Sequence, residues 1–115
     1  MNKEQNWIGV DLDGTLVEFE YENWKGITHI GNSIPLMVDR VKKWLEEGYD
    51  VRIFTARIAN NNEAERQLTI SVIENWCIET FGKKLPITNV KDMHMAVLYD
   101  DRAIQVEKNT GRLIL

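Results

Sequence analysis

Trp7-Ile8-Gly9-Val10-Asp11-Leu12-Asp13-Gly14-Thr15 decides how the chain folds. Its first six residues are mostly apolar at consecutive positions and too few for a helix, the pattern of a strand buried on both faces of a parallel sheet. The run stops abruptly in Asp13-Gly14-Thr15, a turn-forming cluster. Downstream, apolar residues recur at 34, 37, 38, 41, 44 and 45, the rhythm of an amphipathic helix. Ser33 suits its N-cap, Pro35 its first turn and Gly48 its stop.

The same alternation continues. Val51 to Thr55 reads as a second strand and Glu63 to Phe81 as a second helix, capped by Asn62 with Glu65 three residues on and ended by Gly82. Leu68, Val72, Ile73, Trp76 and Cys77 give that helix a broad apolar face. Pro86 to Asn89, Met95 to Tyr99 and Ala103 to Val106 read as further strands, and Asn109-Thr110-Gly111 turns the chain toward Leu113-Ile114-Leu115. Strand and helix in alternation give a parallel sheet with helices packed on its faces. The last segments are too closely spaced for helical crossovers and predict a short hairpin.

The 115 residues are expected to form one domain, and 43% hydrophobic with 28% charged residues can bury a core. Fourteen basic against eighteen acidic residues leave a net charge of −4. That balance gives no general footprint for nucleic acid or an anionic membrane, so phosphate binding has to be local. A lone cysteine, Cys77, excludes an internal disulfide framework and a Cys/His zinc set, and reads as a buried small hydrophobe. His29 and His94 read as loop or packing residues, Trp44 and Trp76 as core. No apolar run reaches signal-peptide or membrane-span length, and a cytoplasmic location is expected.

Side chains suited to phosphate chemistry stand at the C-terminal ends of the expected strands: Asp11 and Asp13, then Thr55, then Asp100 and Asp101. Ligands of open α/β sheets bind along that edge. Carboxylates at i and i+2 on an extended chain leave the same side, so Asp11 and Asp13 share one volume if extended geometry persists through Leu12. Adding Asp100 from a neighbouring strand concentrates negative charge that calls for a cation, and an all-oxygen set suits Mg²⁺.

Asp11-Leu12-Asp13-Gly14-Thr15, followed in order by Thr55, Lys91 and Asp100-Asp101, resembles the haloacid dehalogenase superfamily of Mg²⁺-dependent aspartyl-phosphate phosphohydrolases. The resemblance implies a three-layer, Rossmann-like, doubly wound α/β fold. It makes Asp11 the nucleophile, and makes Asp13 the acid that protonates the leaving oxygen and then the base that activates water. Thr55 would hold a phosphoryl oxygen, with backbone N–H groups near Leu12, Asp13 and Ala56 as further donors. Lys91 would neutralise charge between nucleophile and phosphoryl group. The metal would lie among Asp11, the Asp13 carbonyl, Asp100 and Asp101, with Asp100 favoured as the direct ligand of the pair and Asp101 either a water-mediated ligand or a brace for Lys91. Arg57 either reaches an anionic substrate or is a surface arginine.

Two features depart from the family. Lys91 lies nine residues before Asp100, which leaves no room for the helix that carries this lysine in many members. Only about 21 residues separate Gly14 from Pro35, too few for a separate cap domain, so the site should be open. Residues 17–32 take the place of a flap. Within them Phe19, Tyr21 and Trp24 either pack as a β-hairpin on the body of the fold or contact the leaving group by stacking. Glu18, Glu20 and Glu22 oppose a bulky polyanion. The expected function is Mg²⁺-dependent hydrolysis of a small phosphomonoester. Its alternatives are a nucleotide or nucleic-acid end phosphatase and a non-catalytic, phosphate-responsive module. A neighbouring subunit in a homo-oligomer could cover the open site.

Overall fold

The opening apolar run forms β1, Trp7–Asp11, in a computed structural model that describes residues 6–115. Met1 to Gln5, on which the expected lack of a signal-peptide run also rests, lie outside the described residues. β1 sits inside the sheet because parallel partners flank it on both sides. β2 (Asp50–Phe54) pairs with it from Trp7↔Asp50 to Asp11↔Phe54. On the other side β4 (Met95–Tyr99) pairs from Ile8↔Val97 to Val10↔Tyr99, after an irregularity between Trp7 and Ile8. β3 (Ile87–Thr88) adds outside β2, and the order is β3-β2-β1-β4.

Helix α1 spans Pro35–Glu46 and α2 spans Glu63–Phe81. Pro35 takes the first helical position, where its missing N–H costs nothing. That places Ile34 at the cap position with no side-chain bond, so Ser33, the expected cap, lies one residue too early. The bounds of α2 match its sequence signals: Asn62 accepts a hydrogen bond from the Glu65 N–H at 3.0 Å, and Gly82 closes the helix in the left-handed conformation.

Both crossovers step the same way across the sheet, and right-handed connection then puts α1 and α2 on one face. Ile8 and Val10 of β1, Val51 and Ile53 of β2, Val38 and Val41 of α1, and Ile73 and Cys77 of α2 form a single apolar cluster there. The buried stripe of α2 is narrower than expected. Leu68 is half exposed, and Thr69 is buried with its hydroxyl donating to the Glu65 carbonyl at 2.8 Å. Trp44 packs on Tyr99 and Trp76 on Phe81 at the margin of the cluster.

The opposite face differs from the three-layer expectation. The strand order reverses at β1 as in a doubly wound sheet, but the reversing connection is only residues 89–94 and holds no helix. Six residues are too few for a helical crossover. Side chains cover the face instead. Trp7 is buried, its indole N–H donating to Asp92 at 2.8 Å and the Arg52 guanidinium lying 4.7 Å from its ring. The result is a Rossmann-like α/β fold with its regular helices on one side.

Residues 17–32 form no hairpin. Isolated bridges pair Val17 with Asp13 and Ser33, and a single 3-10 turn covers Tyr21–Asn23. The C-terminal hairpin is present as β5 (Gln105–Val106) against β6 (Leu113–Ile114). Among the described residues no helix is long and apolar enough to cross a membrane.

Candidate active site

Parallel pairing brings the C-terminal ends of β1, β2 and β4 to one edge of the sheet, and each ends in a polar group. At the end of β1, Asp11 is followed by a tight turn. The Leu12 carbonyl accepts from the N–H groups of Leu16 and Val17, both at 3.0 Å, while Leu12, Leu16 and Val17 are fully buried. Burial of these apolar residues fixes the turn, and the turn swings Thr15 back over Asp11.

At the end of β4, Asp100 and Asp101 meet that turn. One carboxylate oxygen from each of Asp11, Asp100 and Asp101 lies within 4.8 Å of the others. The Thr15 hydroxyl accepts from the Asp101 N–H at 3.1 Å and stands 3.3 Å from Asp11 Oδ2 and 3.2 Å from Asp101 Oδ1. It carries one proton and so serves one of these carboxylates at a time. Gly14 makes the approach feasible: its φ is +89°, and a Cβ there would lie 2.6 Å from Asp101 Oδ2.

Asp11 carries the mark of this crowding. Burial, then a proton shared with Asp101, then the negative charges of Asp100, Asp101 and Asp13 push its pKa up to about 7. Among the described residues no salt bridge reaches Asp11, Asp100 or Asp101. Three convergent carboxylates with no protein cation between them are an all-oxygen donor set, and they fit a small hard divalent ion such as Mg²⁺.

Asp13 borders the same cleft as Asp11 and Asp100 but is held by Arg57 instead of joining the three acids. Its carboxylate accepts two charge-assisted bonds from Arg57, at 2.6 Å from Nη2 and 2.7 Å from Nε. Its side chain is therefore not the fourth member of the acidic group. Arg57 is neither a surface arginine nor a free anion receptor. Its side chain is only 5% exposed, and Nη1 donates to the carbonyls of Ile27 at 2.9 Å and His29 at 2.7 Å. Those four bonds leave one of its five N–H donors. Thr55 is buried after β2, and its hydroxyl accepts from the Arg57 N–H at 3.1 Å as the cap of the 3-10 turn Ala56–Ile58. Its own hydroxyl proton stays available to donate.

Lys91 is not brought to the site. It lies on the exposed connection one residue before Asp92, whose carboxylate holds the Trp7 indole at the opposite end of β1 from Asp11. Two residues without an assigned role from sequence do join the site. Thr15 ties Asp11 to Asp101, and Arg102, whose N–H donates to Asp100 Oδ1 at 3.0 Å, lines the cleft. Their signal was position alone, beside the acids at two strand ends. His29 contributes its carbonyl to Arg57, and His94 its carbonyl to Trp7. The Cys77 thiol is pushed up to about 11, chiefly by burial, and is inert at neutral pH.

Asp11, Asp13, Ala56, Arg57, Asp100 and Arg102 border a cleft of about 810 Å³ whose remaining wall is largely Phe19, Tyr21, Trp24, Ile27 and Phe54. No cap covers it.

No family model and no curated protein matches the chain. A solved structure of a conserved protein coded by a locus of Bacteroides thetaiotaomicron is similar, with a TM-score of 0.56 and 24% identity, over 84% of this chain and 75% of that one. Likeness at that identity shows a common fold.

Proposed function

We propose that the chain is a capless, Mg²⁺-dependent phosphohydrolase of the haloacid dehalogenase type that hydrolyses a small phosphomonoester through Asp11. The observation that carries this reading is the convergence of the Asp11, Asp100 and Asp101 carboxylates within 4.8 Å at the C-terminal edge of the parallel sheet, in a cleft open to a substrate. Asp11, Asp100 and Asp101 would hold the ion, which when bound neutralises negative charge and polarises a phosphoryl oxygen.

Each step falls to a residue of the chain. An Asp11 carboxylate oxygen attacks phosphorus as the bond to the leaving oxygen breaks, forming a phosphoaspartate. The leaving oxygen takes a proton from Asp13. Water then attacks the phosphoaspartate and gives a proton back to Asp13, and the bond from phosphorus to Asp11 breaks to release inorganic phosphate. Thr55 would donate its hydroxyl proton to a phosphoryl oxygen, and Arg102 would face the anionic substrate from the end of β4.

One observation favours a second reading. Both oxygens of Asp13 are engaged by Arg57, so proton transfer requires that ion pair to loosen. A phosphate-responsive module without turnover needs no such step. Phosphate release from a panel of phosphomonoesters distinguishes the two. The first reading expects Mg²⁺-dependent release that Asp11→Asn abolishes without unfolding the protein, and activity that survives the substitution would remove Asp11 from the role. Stabilisation by beryllium fluoride with Mg²⁺, but no turnover on any ester, would favour the module.

A further inference from the structure

We propose that the aromatic wall of the cleft seats a planar nucleobase, so that the substrate is a free nucleoside monophosphate; this rests on the phosphohydrolase reading and specifies its leaving group. The wall is built and fastened to the acidic site. Phe19 is its hub, meeting Tyr21 edge-to-face at 4.9 Å and Trp24 edge-to-face at 5.6 Å. Arg57, which grips Asp13, lies with its guanidinium 4.8 Å from the Trp24 ring. Arg102, whose N–H bonds Asp100, donates from Nη2 to the Tyr21 hydroxyl at 3.0 Å. Each outer aromatic is thus tied by an arginine to one of the acids that would process the phosphate.

Burial of apolar surface does not account for these rings. Tyr21 is 73% exposed and Trp24 45% exposed, yet both border the cleft together with Asp11 and Asp100. Exposed aromatic faces held at fixed positions are a stacking platform for a flat π-system. A volume of about 810 Å³ lies in the usual range for small-ligand sites. An aliphatic or sugar phosphate would fill the acidic end and leave the wall unused. The terminal nucleotide of a strand offers the same base, but its further phosphates would meet Glu18, Glu20 and Glu22, all exposed on the same segment. Charge therefore favours the mononucleotide.

The test compares adenosine 5′-monophosphate with ribose 5-phosphate, which lacks only the base, in the full chain with Mg²⁺. The inference expects kcat/KM at least about tenfold higher for the nucleotide, the contribution of one stacked base. Tyr21→Ala should shrink that ratio about fivefold or more, while Tyr21→Phe, which keeps the ring and loses only the Arg102 bond, should preserve it. Equal kcat/KM for the two esters, or a ratio that Tyr21→Ala leaves intact, overturns the inference and leaves the phosphohydrolase reading standing. Faster release from a 5′-phosphorylated decathymidylate than from the mononucleotide also overturns it. If no ester turns over, quenching of tryptophan fluorescence by adenosine in chelator decides alone: saturable quenching lost in Tyr21→Ala sustains the wall without the chemistry, and its absence overturns both.

Discussion

Asp11→Asn should stabilise the metal-free protein, although it removes the proposed nucleophile. Burial and neighbouring carboxylates raise Asp11 from 3.8 to about 7 in the native state, whereas in the unfolded chain it titrates near the ordinary value. Between those pH values the native state holds a proton that the unfolded state has lost, so stability falls as pH rises from about 4 to about 7 and then levels off. For a fully enclosed group a shift of that size corresponds to about 4 kcal/mol. Asp11 is partly open to water, and screening reduces the effect to about 1–2 kcal/mol. Asparagine keeps the shape and a partner for Thr15 but carries no charge. In chelator at pH 8 it should melt about 4–8 °C above the parent. At pH 4, where Asp11 is protonated in the native state and only about half ionised in the unfolded chain, the gap should nearly close, and saturating Mg²⁺ at pH 8 should close it by stabilising the parent. Calorimetry across the pH series reads all three. Equal melting at pH 8 in chelator, or a gap of the same size at pH 4, would refute the account of Asp11 as a charge held against its neighbours.

Arg57→Met should cost about 2–4 kcal/mol in urea unfolding, because it strands the Asp13 carboxylate and the carbonyls of Ile27 and His29; a loss below about 0.5 kcal/mol would mean these groups find water at no cost. Gly14→Ala should weaken Mg²⁺ binding by calorimetric titration about tenfold or more, since its Cβ would displace Asp101 and its positive φ would be strained. Unchanged affinity would place the ion away from Asp101. Lys91→Ala should alter kcat/KM by less than about twofold, as a surface change remote from the cleft; a tenfold fall would bring Lys91 into the site.

Much of the fold was legible because its determinants are local. The Asn62 cap and the Gly82 stop each adjoin the end of α2 that they set, and the bounds follow. β4 was equally readable from its short apolar run, Met95 to Tyr99. The lack of room for a helix before Asp100 was legible in the spacing, but strand and helix in alternation do not say that α1 and α2 share one face; the strand order decides that. The aromatic segment misled for a related reason. Phe19 and Tyr21 alternate as in a strand, but no partner strand lies beside them, and they collect around each other instead.

The sequence alone determined which chemical groups stand at strand ends, since the apolar run before each of Asp11, Thr55 and Asp100 is written in consecutive residues. Tertiary structure alone decided which of them meet. Asp11 and Asp101 are neighbours because β1 and β4 pair in parallel and Gly14 leaves space between them. Asp13, two residues from Asp11, is claimed by an arginine 44 positions away. A partner at that distance is chosen by strand register and the path of loops, and neither is encoded in the residues adjacent to the acid.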